Sequence, residues 1–244
     1  RFMLTEEAHH MFVGESGVSR VIERTCQAMQ QSNIDDPYES ERIRALGVID
    51  LPTVQRKLNF HFAVSLDLFG SEISTNAAGF FNTGIKGRYR ETHIDDDHQL
   101  IDDSYTVLKC DGVSFKTVET PALPALNMRL RDDYVRECAR GIERWNRIIS
   151  KAGVRFDLKL PHVAFSRAIG EFSDINADPD GQLMSDAEWQ SHKDQFLPTD
   201  QDRAFLGSIM APVTVAGQFA GWIAPPARSI DGKPAGFEYV KIPS

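Results

Sequence analysis

The sequence predicts a mainly α protein with one β-hairpin and an irregular C-terminal extension. Apolar residues recur at the 3.6-residue helical period along most of the first 153 positions. One stretch alternates as strands do, around an Asp-Gly pair. The composition, 41% apolar and 25% charged over 244 residues, leaves ample material for a core.

Taken in order, residues 1–30 place Leu4, Ala8, Met11, Val18, Ile22, Cys26 and Met29 on one stripe. This predicts an amphipathic helix, with a bend expected near Gly14 and Gly17. Residues 31–50, including "DDPYESER", read as a polar link with a short helix. "LPTVQRKLNFHFAVSLDLFG" repeats the helical spacing with Leu51, Val54, Leu58, Phe62, Leu66 and Phe69. Pro52 suits its first turn, where a missing N–H costs nothing. "SEISTNAAGFFNTGIKG" predicts a further helix of small residues, ended by Gly84 and Gly87. "SYTVLKCDGVSFKTVETP" predicts a hairpin near 104–120 turned by the two residues Asp111 and Gly112. The next stretch carries Leu126, Leu130, Tyr134, Cys138, Ile142, Trp145 and Ile149 at helical spacing, and Gly153 closes it. Residues 154–244 read as an irregular extension of the same domain as 31–153. It holds short helices at "SDAEWQSHKDQF" and "DQDRAFLGSIM" and a Pro-rich tail, "WIAPPARSIDG".

The net charge of -8 argues against nucleic acid or an anionic membrane as main partner. No window approaches the roughly 18 continuous apolar residues of a membrane span, and no basic-then-apolar leader is present. Cys26, Cys110 and Cys138 are odd in number and lack C-x-x-C spacing, which suits free thiols in a reducing cytoplasm. Arg1 falls straight into helical periodicity without a Ser, Thr, Asp or Asn cap. The expectation is a chain that starts inside a helix, as the C-terminal portion of a longer protein.

That first helix contains "TEEAHHMFVG". Two Glu-x-x-His readings exist, Glu6 with His9 and Glu7 with His10. At about 100° per residue, Glu7 lies within roughly 40° of the apolar stripe and His10 roughly 100° to one side, while Glu6 and His9 point roughly 140° away. Glu7 and His10 are thus the pair able to face an interior, where a carboxylate and an imidazole require compensation that a metal can supply. Di-iron carboxylate bundles use Glu-x-x-His on two helices and single carboxylates on two others. A lone pair of this kind also arises by chance, as a surface or structural feature. Asp95 and His98 repeat the spacing downstream, with Asp67 as a conceivable third ligand, but they sit in the acidic run "HIDDDHQLIDDS", which reads as solvated. The order H-E-x-x-H of zinc peptidases is absent.

Four stretches, "FMLTEEAHHMFVGESGV", "GVIDLPTVQRKLNFHF", "AEWQ" and "GWIAPPAR", together resemble the oxygenase component of the benzoyl-coenzyme A epoxidases, the benzoyl-CoA 2,3-epoxidase family. The similarity runs through nearly all 244 residues. It implies a ferritin-like bundle holding two iron ions, with residues 1–30 as its last metal-binding helix. It implies electrons from NADPH by way of a separate flavin and iron–sulfur reductase. The implied reaction inserts one atom of O2 into the ring of benzoyl-CoA, giving 2,3-epoxybenzoyl-CoA in aerobic benzoate degradation. The family carries two Glu-x-x-His motifs, and "TEEAHH" matches the later one. The resemblance therefore implies Glu7 and His10 as iron ligands and places the remaining ligands upstream of Arg1, so the chain alone is not expected to complete the site. The expected assembly is a cytoplasmic monomer or homodimer. Two alternatives stay open: a di-iron oxidase of another acyl-CoA, and a non-catalytic ferritin-like scaffold or binding protein.

An acyl-CoA needs cationic partners for its phosphates. Arg144, Arg147 and Lys151 cluster near the end of the long helix, and Arg147 and Lys151 share a face. Cations at a helix C-terminus also simply oppose its dipole. Asn76, on an otherwise small and apolar stretch, is a candidate hydrogen-bonding partner for the ligand or for a neighbouring backbone. "NADPDGQLMSDAEW" imitates a calcium loop through Asn176, Asp178, Asp180 and Gly181, but position 12 is Ala187 where a Glu is needed. The better reading is a turn followed by a helix capped by Ser185 and Glu188.

Overall fold

The computed structural model describes residues 2–73, 104–210, 212, 214, 218–227 and 238–239. Helix α1 (Phe2–Gln31) follows the predicted stripe in its later turns, which bury Ile22, Cys26 and Met29. The bend expected near Gly14 and Gly17 does not interrupt the helix. The helix is continuous through both, and a Cβ at either would meet nothing within 4 Å.

Asn33 ends α1 in the left-handed conformation, φ 52°. The N–H of Ile34 donates to the Met29 carbonyl at 2.9 Å, and that of Asn33 to Gln30 at 3.3 Å. This is a Schellman closure, and it turns Ile34 back onto Met29 in one buried cluster with Ala28, Ile43 and Val48. Ile43 comes from the short predicted helix, α2 (Ser40–Arg44). Helix α3 (Leu51–Asp67) starts where the Asp50 carboxylate accepts the N–H of Thr53 at 3.0 Å. It buries Leu51, Phe62 and Leu66 of the expected stripe.

Strands β1 (Ser104–Cys110) and β2 (Phe115–Pro121) form the predicted antiparallel hairpin, in register from Ser104↔Pro121 to Cys110↔Phe115. The connection is a four-residue loop, 111–114, rather than the two-residue turn expected. The Asp111 carboxylate accepts the N–H groups of Val113 at 3.0 Å and Ser114 at 2.8 Å, and Gly112 takes φ +87°. An aspartate that satisfies two loop donors stabilises the wider turn.

The long helix is α4 (Leu126–Lys151). Gly153, at φ +70°, closes it by a second Schellman motif, with Val154 N–H donating to Ile149 at 3.3 Å. Val154 thereby packs against the cluster that closes α1. Beyond it lie β3 (Asn176–Ala177) paired with β4 (Leu183–Met184), α5 (Asp186–Phe196), α6 (Asp200–Ile209), and β5 (Gln218–Phe219) parallel to β6 (Glu238–Tyr239). The Ser185–Glu188 capping box of α5 forms as predicted, and α6 begins on an unforeseen one, Thr199 with Asp202. Of the helix expected over 71–87, Ser71–Ile73 are non-helical. The rest, with Gly84, Gly87, Asn76, Asp95 and His98, lies outside the described residues.

The described chain is mainly α, with three two-stranded sheets. It forms two compact units. The first comprises residues 1–57, 140–159 and 198–244, and its described core is the Met29–Ile43–Val48 cluster. The second comprises residues 58–139 and 160–197. It is built on small apolar clusters around Leu126, around Val107 and Met128, and around Ala164, Phe172 and Ala177.

Candidate metal helix and buried ion-pair clusters

Helix α1 places positions 7 and 10 one turn apart on the backbone. His10 and Glu6 are exposed. The inward orientation expected of Glu7 and the outward one of His9 concern side chains outside the described set. Beside His10, Met11, Phe12 and Val13 are 72%, 69% and 52% exposed. Adjacent helix residues lie about 100° apart, so these three are bare on several sides of the helix rather than along one face. Among the described residues, no group of three or more His, Cys, Asp or Glu could hold a metal ion. The donor chemistry of Glu7 and His10 suits iron, a hard carboxylate oxygen with an imidazole nitrogen, but the described residues add no further ligand.

In the first unit, Arg147 and Lys151 are both exposed, one turn apart at the end of α4. Lys151 lines a groove of about 390 Å³ with Glu23, Cys26, Gln27, Gln30, Ile148 and Ala152. Arg144, the third cation of that cluster, is engaged elsewhere: its Nη2 donates to the Glu15 carboxylate at 2.8 Å. Burial, and then the neighbouring Glu23, push the Cys26 thiol up to about 11, so it stays protonated and unreactive.

Sequence reasoning missed the most densely bonded polar groups. In the first unit, Asp50, Thr53 and Asp202 are buried at 0%, 0% and 1% exposure. Arg44 donates from Nε to Asp50 at 2.6 Å and from Nη2 to Asp202 at 2.5 Å and to Thr53 at 2.7 Å. Arg56 grips Asp202 with both Nε and Nη2, each at 2.7 Å. Thr199 N–H completes the Asp202 carboxylate at 3.0 Å. Burial alone would raise the Asp202 pKa, but the Arg56, Thr199 and Arg44 donors outweigh it and hold the carboxyl well below its usual range.

In the second unit, Arg131 is buried to 1% and its Nη1 donates to Glu72 at 2.5 Å. Arg167 donates from Nε to Asp67 at 2.6 Å and lies 3.6 Å from the same Glu72. Asp67 thus serves an ion pair. The backbone N–H groups of Glu171 and Ala168 donate to Glu72 at 2.8 Å and to Asp67 at 3.1 Å.

The segment resembling a calcium loop is the turn joining β3 and β4. Asp178 accepts the N–H groups of Asp180 at 2.9 Å and Gln182 at 2.8 Å, and Gly181 at φ +87° lies against the His162 ring. Asn176 donates to Asp186, the first residue of α5, at 2.8 Å.

No protein-family profile matches the chain. It is 51% identical over 242 residues, 99% of its length, to the benzoyl-CoA oxygenase component B of Aromatoleum evansii. The alignment covers 50% of that protein, so the chain spans about half the length of the curated relative it matches.

Proposed function

We propose that this chain is part of the oxygenase component of a benzoyl-CoA oxygenase, as its likeness to component B of such an enzyme suggests. That likeness, 51% identity along 99% of the chain, is the single observation that carries the reading. In this reading residues 1–30 belong to a ferritin-like bundle whose other helices come from outside this chain. Bare Met11, Phe12 and Val13 support this, since apolar residues exposed on several sides suit a helix surrounded by neighbours. The intact protein oxygenates the ring of benzoyl-CoA to the 2,3-epoxide, taking electrons from NADPH through a separate reductase. The name "component B" implies that the relative works with at least one other component.

Glu7 and His10 would hold iron, one turn apart on α1, with the remaining ligands supplied from outside this chain. A di-iron pair, when bound, supplies the reduction of O2 to an oxidant that can attack an electron-poor ring. The chain's own contributions are positional. Helix α1 fixes the spacing of a carboxylate and an imidazole. Its apolar flank, once covered, excludes water from their surroundings. Arg147 and Lys151 offer charge-assisted hydrogen bonds to the CoA phosphates, and Asn76 is a further candidate contact.

The test is iron per chain and benzoyl-CoA-dependent oxygenation in the full-length protein. Glu7→Ala and His10→Ala should each lower bound iron and abolish oxygenation with the fold retained. His9→Ala should keep iron near the wild-type level. Loss of iron in His9→Ala with retention in His10→Ala would overturn the ligand assignment. Replacing Arg147 and Lys151 together by Ala should raise KM for benzoyl-CoA, each lost charged hydrogen bond being worth roughly 1.5–3 kcal/mol. An unchanged KM removes them from the substrate site.

A further inference from the structure

We propose that the segment 221–224 clamps helix α1 at a fixed axial position, with Arg20 and Arg24 as positioning residues for Glu7 and His10, an inference that rests on reading α1 as an iron-binding helix. The segment belongs to "GWIAPPAR" and lies in the same compact unit as α1. Arg20 and Ala224 exchange two bonds. The Ala224 N–H donates to the Arg20 carbonyl at 3.0 Å, and Arg20 Nε donates to the Ala224 carbonyl at 2.6 Å. One turn further along α1, Arg24 Nε donates to the Gly221 carbonyl at 2.8 Å. The segment thus runs antiparallel to the helix, 20 against 224 and 24 against 221. The Ile223 N–H donates to the Ala220 carbonyl at 3.4 Å, which folds the segment into a turn. Ala224 is 2% exposed, and Pro225 and Pro226 follow it. Proline restricts the residue before it to extended backbone, so the segment reaches α1 with little freedom left to lose.

Directional bonds supply here what apolar burial does not. Helix α1 is buried through Ile22, Cys26 and Met29. Apolar burial is non-directional, so it resists a slide along the axis less sharply than bonds of fixed length and angle do. An interior helix carbonyl already accepts the N–H four residues on. The second donor, from Ala224, therefore fixes α1 by its backbone, whatever its side chains. Bonds on residues four apart, which share a face, fix its rotation as well. Two other contacts hold the helix less firmly. Thr25 Oγ1 lies 2.7 Å from the Ile49 carbonyl but also 3.1 Å from the Val21 carbonyl of its own helix, with one hydrogen to give. Glu15 pairs with Arg144 nearer His10, but both side chains are exposed, where an ion pair contributes little. His10 stands about 15 Å along the axis from Arg20. A helix carries an axial shift undiminished over that distance, and ligands of a site need placement to within about 0.5 Å.

The experiment uses the full-length, iron-loaded protein and an isosteric pair of substitutions. Glutamine at 20 and 24 puts an amide N–H where arginine has Nε, whereas methionine has the same length and no donor. The quantities read are the rate at which a chelator removes iron, kcat and KM for benzoyl-CoA, and the urea midpoint. Arg20→Met with Arg24→Met should release iron at least tenfold faster and lower kcat at least tenfold, with KM little changed. Arg20→Gln with Arg24→Gln should restore both. A lower urea midpoint with iron release and kcat unchanged assigns the bonds to stability alone and overturns the clamp. Equal behaviour of the Met and Gln proteins overturns it too. Glu7→Ala, measured alongside, separates the clamp from the reading it rests on. If Glu7→Ala keeps its iron, that reading falls and the clamp falls with it. If Glu7→Ala loses iron while the Met protein keeps both iron and kcat, the clamp alone falls. Should the double Met variant fail to fold, Arg24→Met against Arg24→Gln is read in the same way.

Discussion

At Gly170, one hydrogen in place of a methyl group preserves a buried ion-pair cluster. The residue sits at φ +89°, a region that costs other residues strain, and its missing Cβ makes room for the Glu72 carboxylate. Gly170→Ala should destabilise the protein by roughly 2–4 kcal/mol, combining backbone strain with displacement of Glu72 from Arg131. Urea unfolding reads this directly, and a change below about 0.5 kcal/mol would refute the steric account. Nothing in "RAIGEF" announces this role. The partner of the adjacent Glu171 N–H lies 99 positions earlier, at Glu72. The same holds for Asp202, whose guanidinium partners Arg44 and Arg56 are 158 and 146 positions away. Local pattern reports periodicity and caps; it carries no record of which distant charge will meet which. Glu7 and His10 were legible as a pair because their spacing of three lies within one helical turn. The ligands that would complete their proposed site leave no local pattern beside them.

Helix ends show where local reading succeeds and where it falls short. Ser185 with Glu188 was read from sequence because nothing competed with the cap, and the box forms with the Glu188 carboxylate accepting the Ser185 N–H at 2.8 Å. Thr199 with Asp202 has the same spacing but does a second task, since Asp202 also receives two arginines in the buried interior of its unit. The two caps should therefore differ in cost. Ser185→Ala should lose about 1 kcal/mol, the ordinary value of an exposed N-cap. Asp202→Asn should lose roughly 3–5 kcal/mol, because it removes one charge from a buried pair and leaves Arg56 uncompensated. Equal losses in chemical denaturation would show that the Asp202 network adds nothing beyond capping. The hairpin makes a related point. Its strands were legible from alternation, but its turn length was decided by the Asp111 side chain, whose bonds to the N–H groups of Val113 and Ser114 favour four residues over two.

For the molecule as a whole, two groups, one in each unit, tie stability to acid pH. His162, in the second unit, is pushed below its ordinary value of 6.5, mainly by burial, with Asp178 opposing. A depressed histidine binds fewer protons folded than unfolded. Its contribution is thus complete above pH 6.5 and is lost as pH falls from there through the lowered value. Asp202, in the first unit, is lowered from 3.8, so its contribution is complete above that pH and lost only below it. The urea midpoint should accordingly begin to decline near pH 6.5 through His162 and decline again as the lowered carboxylates protonate, Asp202 adding its loss below 3.8. His162→Asn isolates the first decline. Its side-chain oxygen can accept the Ala164 N–H that His162 Nδ1 accepts at 3.2 Å, but it cannot take up a proton. The variant should hold its midpoint between about pH 7 and about pH 5.5, where the wild type declines. If the two proteins decline in parallel across that window, His162 is not the group responsible, and the first decline must be sought in another titrating side chain.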